Sequence, residues 1–158
     1  MKSASIQELK KELQQLDKEK LVQSCLRLAK FKKENKELLT YLLFESDDEA
    51  AYVASVKNEI QSMFSSIPAE HNLYFKHKMA RKILRTTNRF IKYSDGETTK
   101  PELLIHYCKM LNEYIPERAD RLALDNLYTS TIDKIRKAIS ALHEDLQYDY
   151  LMELDGIC

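Results

Sequence analysis

The residues of this sequence best placed to do chemistry are six cations: Lys78, Arg81, Lys82, Arg85, Arg89 and Lys92. Lys78, Lys82, Arg85, Arg89 and Lys92 recur at helical spacing, so they form one stripe with Arg81 on its flank. No carboxylate interrupts them between Lys76 and Lys92. The chemistry of such a stripe is electrostatic: each Lys or Arg can neutralise a phosphate and release its counterions. Tyr74 and Tyr93, near the two ends, are placed to stack on bases. The opposing reading is a solvated surface helix, or one neutralised by the acidic segment 143–155. The net charge of the whole chain is zero, whereas a dedicated nucleic-acid binder carries a basic excess.

Other site chemistries find little support. The four histidines, His71, His77, His106 and His143, form no His-Glu-x-x-His pair, and none follows a Glu by three residues as a di-iron bundle requires. Glu102, His106, Lys109 and Glu113 share one helix face, which reads as a solvated stripe. Cys25, Cys108 and Cys158 are too far apart for a zinc knuckle. No Gly-x-Ser-x-Gly elbow is present, and the two glycines are isolated, so no glycine-rich loop cradles a phosphate. These patterns suggest neither a catalytic residue nor a metal ligand, and they imply no cofactor. An enzyme is the least favoured class.

The elements that position the cationic stripe follow from what is scarce. Two glycines and three prolines fall in 158 residues, all between amphipathic segments. Gly and Pro are the strongest interrupters of regular structure, and the common residues here, Leu, Lys, Glu, Ala and Arg, favour helices. The chain is expected to be all-α: an antiparallel helical bundle or short helical array of about five to seven amphipathic helices in a single domain, 1–158.

The segments read in order. A short helix runs from Ser5 to Leu16. Asp17 caps a long second helix, Lys18 to Phe44, whose apolar stripe is Leu21, Cys25, Leu28, Phe31, Leu38, Leu39 and Leu42. Asn35 lies on that stripe. It either sets register in an assembly, as a polar residue on an apolar seam can, or marks a break within the charged run Lys32–Glu37. Two capping boxes are expected, Ser46-Asp47-Asp48-Glu49 and Thr99-Lys100-Pro101-Glu102. Pro68 ends the third helix, Asn72 or Ala69 opens the fourth, and Pro116 ends the fifth. A sixth helix spans about Glu117 to His143, and the tail Glu144 to Leu154 continues it or forms a seventh. Cys25 and Cys108 read as small core residues. Tyr41, Phe44, Tyr52, Phe64, Tyr128, Tyr148 and Tyr150 read as core or core-edge aromatics.

The stretch Ile6-Gln7-Glu8-Leu9-Lys10-Lys11-Glu12-Leu13, followed by Lys20-Leu21-Val22, resembles the SAP helix-loop-helix of DNA-binding proteins over roughly 25 residues. The resemblance implies DNA binding. The turn glycine that the family places between its helices is missing.

The charge is segregated along the chain. Residues 1–44 carry ten Lys/Arg against six Asp/Glu, a net of +4, and residues 101–158 carry six against eleven, a net of −5. Electrostatically matched protein partners suit this pattern. The expected function is therefore a non-enzymatic helical protein–protein interaction module, a homo-oligomer being one version. The alternative is a nucleic-acid-binding helical protein using the basic stripe of residues 76–92. No secretory h-region follows Met1, and the longest apolar run, Leu38 to Phe44, is far short of the roughly 20 residues a spanning helix needs. A cytoplasmic location without a membrane partner is expected, in keeping with sparse cysteine.

Overall fold

The computed structural model describes residues 2–68, 72–115 and 124–157. Among these residues the chain is all-helical, with no strand. The helices are α1 (Ile6–Leu13), α2 (Lys18–Phe31), α3 (Lys33–Thr40), α4 (Glu49–Ser65), α5 (Leu73–Ile91), α6 (Thr99–Tyr114), α7 (Asp125–Ile139) and α8 (Glu144–Asp155). One π-helical turn, Tyr41–Glu45, follows α3. The chain divides into two compact units, residues 1–44 and 45–158.

In the first unit the expected long helix is two helices. Lys32 is extended, at φ −144° and ψ 148°, so the chain breaks between α2 and α3 and the two pack against each other. Asn35 occupies this turn: its Nδ2 donates to the carbonyl of Leu28 at 2.8 Å, satisfying one of the carbonyls that a helix end leaves without an intrahelical donor. Before the hairpin, α1 is held by a complete capping box between Ser5 and Glu8, and α2 begins at Asp17, whose Oδ1 accepts from the Lys20 amide at 2.8 Å. These local devices suffice to start the helices. What the unit lacks is a core: α1, α2 and α3 bury no residue, and Tyr41 in the π turn is the one buried side chain among its described residues. Cys25 is accordingly exposed, not a core residue.

The second unit has the core. Helix α6 is its centre, packed against α4, α5, α7 and α8. Its Leu103, Leu104, Ile105, Tyr107, Cys108 and Leu111 are all essentially inaccessible. Residues on such different sides are buried together because neighbours surround this helix. Ile60 and Phe64 of α4, Ile83 of α5 and Ile135 and Ile139 of α7 fill in around it. The rings of Phe64 and Tyr107 lie 5.7 Å apart, a tilted aromatic contact.

Neither expected capping box forms here. Helix α4 starts from Asp48, which accepts from the Ala51 amide at 3.0 Å. Glu49 instead accepts from the hydroxyls of Ser94, in the α5–α6 loop, and Thr99, the first residue of α6. Helix α6 has no side-chain cap bond, and Glu102 turns to Lys57 and Tyr150. Tertiary partners outcompete the local cap in both places. The same loop holds Gly96, where a Cβ would sit 2.6 Å from Thr99 Oγ1 and 2.9 Å from Glu49 Oε1, so a side chain has no room. Asn72 caps α5 as expected, accepting from the Phe75 amide. The start of the expected sixth helix lies outside the described residues. From Asp125 that helix reaches Ile139, and the tail is a separate helix after the turn at Ser140–His143.

Candidate interaction surfaces

Helix α5 presents two opposite faces. With 3.6 residues per turn, Lys78, Lys82, Arg85, Arg89 and Lys92 fall within an arc of roughly 80°. Ala80, Ile83, Leu84 and Thr87, on the other side, are buried. The inner face is pinned by polar bonds as well as apolar contact: Tyr107 donates to the Ala80 carbonyl at 3.0 Å, and Tyr52 to the Phe90 carbonyl at 2.9 Å. Lys78, Arg81, Lys82, Arg85 and Lys92 are exposed. Arg89 is half-buried, its guanidinium 5.5 Å from the Phe90 ring centroid. Tyr74 is 75% exposed, but Tyr93 is buried and is not available to a base.

The acidic tail does not cover this stripe with Glu153, which pairs with Lys109 of α6 at 2.6 Å. Asp145 lies 3.5 Å from His143 on its own segment. Among the described residues, no carboxylate pairs with Lys78, Arg81, Lys82, Arg85 or Lys92.

The unit 1–44 exposes apolar surface instead of charge alone. Ile6 and Phe31 are 80% and 76% exposed, and Val22, Leu26, Leu28, Leu42, Leu43 and Phe44 are exposed as well. Two grooves run along the α2–α3 hairpin. One, of about 230 Å³, is lined by Cys25, Leu28, Leu38, Leu42 and Asn35. The other, of about 440 Å³, is lined by Leu26, Ala29, Leu39, Leu43 and Phe44 together with Lys30 and Lys36, and no carboxylate is among its walls. A third apolar depression lies between α1 and Leu21.

Helix α8 is the acidic counterpart. It carries five carboxylates and no cation. Leu154 is buried, while Tyr148 and Met152, four residues apart on the outer side, are 67% and 58% exposed. Glu144, Asp145, Asp149 and Asp155 are exposed around them. Phe44 and Tyr148, expected at the core or its edge, are thus surface residues. Tyr41, Tyr52 and Phe64 are buried, and Tyr128 and Tyr150 half-buried.

The expected solvated stripe on α6 is drawn into tertiary contacts. Glu102 accepts from Lys57 at 3.0 Å and from Tyr150 at 2.8 Å, and His106 Nε2 lies 3.1 Å from the Lys57 carbonyl. Burial pushes the Glu102 carboxyl up, but the Lys57 and Tyr150 hydrogen bonds outweigh it and hold the pKa below the ordinary carboxylate value. Burial lowers the His106 pKa, favouring the neutral ring. Burial and the bond to Glu102 push Tyr150 up to about 12. This set joins α4, α6 and α8 and lines none of the grooves above. Among the described residues, no group of three or more His, Cys, Asp or Glu is placed to hold a metal ion, and no helix is long and apolar enough to cross a membrane.

No protein-family model matches this chain, and no curated protein or solved structure is significantly similar to it. The SAP resemblance therefore rests on the residues of α1 and α2 alone.

The sequence reading missed the grooves because it assigned the α2–α3 stripe to a core. A signal was present: Val22, Leu26, Leu43 and Phe44 fall off that single stripe, so the hairpin has more apolar faces than one packing contact can cover.

Proposed function

We propose that this protein is a non-enzymatic helical interaction module that docks another polypeptide on the apolar surface of residues 6–44, a second copy of itself being the version tested first. One observation carries the reading: α1, α2 and α3 bury no residue, yet Ile6, Leu28, Phe31 and Phe44 stand 63–80% exposed. Large contiguous apolar surface on a soluble chain marks a site that something else covers. An amphipathic helix pair offering anchors at helical spacing is a common mode of helix-in-groove recognition. Asn35, on the groove wall beside Leu28, is the polar residue that would fix register there.

The test is light scattering behind a size-exclusion column over a wide concentration range. The full chain is expected to rise above 18.6 kDa, and Leu26→Glu with Leu43→Glu to return it to the monomer with residues 45–158 still helical. A strict monomer at every concentration, with Cys25 equally open to a thiol reagent throughout, overturns self-association.

A second reading is supported by the uncovered face of α5. Four exposed cations on a helix without a single carboxylate, and Lys92 at its C-cap, suit a phosphate backbone, and Tyr74 is exposed near its start. A mobility shift with mixed DNA and RNA at low and high salt tests it. Lys82→Glu with Arg85→Glu is the informative variant, since both side chains are exposed, whereas Arg89 also packs on Phe90. Absence of a shift at low salt ends this reading.

A further inference from the structure

We infer that the polypeptide docked on residues 6–44 is a second copy of this chain, presented through the outer face of α8, so that copies associate head to tail. The inference rests on the reading of residues 6–44 as a docking surface. Its argument is the match between two faces of unlike character. The groove lined by Leu26, Ala29, Leu39, Leu43 and Phe44, with Thr40, also includes two exposed cations, Lys30 and Lys36. The outer face of α8 is apolar through Tyr148 and Met152 and anionic along one flank, through the exposed Asp145 and Asp149. Tyr148 and Met152 are one helical turn apart, the spacing of paired anchors on a docking helix.

Charge chooses between arrangements. Residues 1–44 carry a net of +4, and residues 45–158 carry 15 Lys/Arg against 19 Asp/Glu, a net of −4. Stacking the hairpins of two copies face to face would bring +4 against +4. Setting the hairpin of one copy on α8 of another brings opposite signs together and steers the encounter. An interface made of two different patches is heterologous, and it either closes into a ring or adds copies indefinitely.

Complementation separates these geometries. Leu26→Glu/Leu43→Glu, both at exposed positions lining the groove, damages the groove and leaves α8 intact. Asp145→Lys/Asp149→Lys damages α8 and leaves the hairpin intact, and both positions are exposed, so its fold should be retained, as circular dichroism will check. Each variant alone is expected to need about tenfold or more higher concentration to associate, a change of about 1.4 kcal/mol. Mixed together, they should form a 1:1 pair through the one undamaged combination. High salt should weaken the wild-type complex, because these charges are exposed. Undiminished association of Asp145→Lys/Asp149→Lys alone overturns the inference and leaves the hairpin as a face-to-face interface. A monomeric wild-type chain instead overturns the self-association on which it rests.

Discussion

The Nζ of Lys109 on α6 lies 2.6 Å from Oε1 of Glu153 on α8. The contact turns one carboxylate of the acidic tail inward, onto the central helix of its own unit. Nearby, the Ile157 carbonyl accepts from Tyr128 at 2.8 Å and from Asn112 at 3.0 Å, so the end of α8 is fastened to α6 and α7. Helix α8 is thereby fixed in orientation, with Tyr148 and Met152 facing out.

The Lys109–Glu153 pair is close but only about six-tenths buried on either side chain. Solvent screening keeps such pairs below about 1 kcal/mol. Glu153→Gln is expected to shift the thermal midpoint by no more than a few degrees. Asn112→Ala removes a hydrogen bond in a less exposed position and is expected to cost about 1 kcal/mol. Chemical denaturation of the two variants should rank them in that order.

Truncations should separate the two units sharply. Ile83 is wholly inaccessible, whereas Phe31 is 76% exposed. Ile83→Ala leaves a cavity and is expected to cost about 2–5 kcal/mol. Phe31→Ala should change the stability of a dilute monomer by less than about 0.5 kcal/mol, although it removes the larger side chain. Equal losses in the two variants at low concentration would show that Phe31 is covered within the monomer.

Stability should fall on the acid side for two identifiable groups. His106 and Glu102 both have folded pKa values below the ordinary ones, 6.5 and 4.5. A depressed pKa contributes stability that is present above the ordinary value and lost as pH falls through the folded value. The acid limb should therefore begin below pH 6.5 with His106 and steepen below pH 4.5 with Glu102. Glu102→Gln should flatten the lower part only. Titrating the His106 ring by NMR supplies the direct check: a midpoint at or above 6.5 contradicts the burial argument.

On the alkaline side Tyr150, held up at about 12 against an ordinary 10.0, acts together with Tyr107 and Tyr114, whose phenols burial also raises. A raised pKa contributes stability that is complete below the ordinary value and lost as pH rises through the folded one. Denaturation midpoints should drop between pH 10.0 and about 12, and Tyr150→Phe should reduce that drop. Phenolate absorbance followed during the titration reports the ionisation itself.

Thiol chemistry distinguishes the cysteines whose surroundings are described. Cys25 is exposed on the groove wall and Cys108 is buried in the core. In a Cys158→Ser background, one thiol should react at once with an aromatic disulfide reagent, and the second only on unfolding. Rapid reaction of both would mean that the α6 core opens far more readily than its packing implies.

Much of this fold was readable before the structure, and the reasons are local. Asp17 and Asn72 cap their helices within their own first turn, Asp17 while its second carboxylate oxygen also pairs with Lys20. Glu49 and Glu102 stand in equally good capping patterns but bond instead to Ser94, Thr99, Lys57 and Tyr150, which are 45 to 50 residues away in sequence, far beyond the reach of a cap. The stripe from Lys78 to Lys92 was legible because it follows one uninterrupted helix. Its exposure was not, since that depends on where Glu153 goes. Periodicity also made the α2 and α3 stripes visible without revealing that no second layer covers them, because a helix face reads the same whether its partner is within the chain or outside it.

The break at Lys32 gives residues 1–44 a further property. A hairpin that encloses almost no side chain of its own draws little stability from within, as isolated helices of this length are marginal in water. If copies associate as proposed, occupancy adds stability to it by mass action. Residues 45–158 keep their own core at any dilution, while the order of the hairpin would follow the amount of protein around it. The chain would then have one unit that reports its surroundings and one that does not.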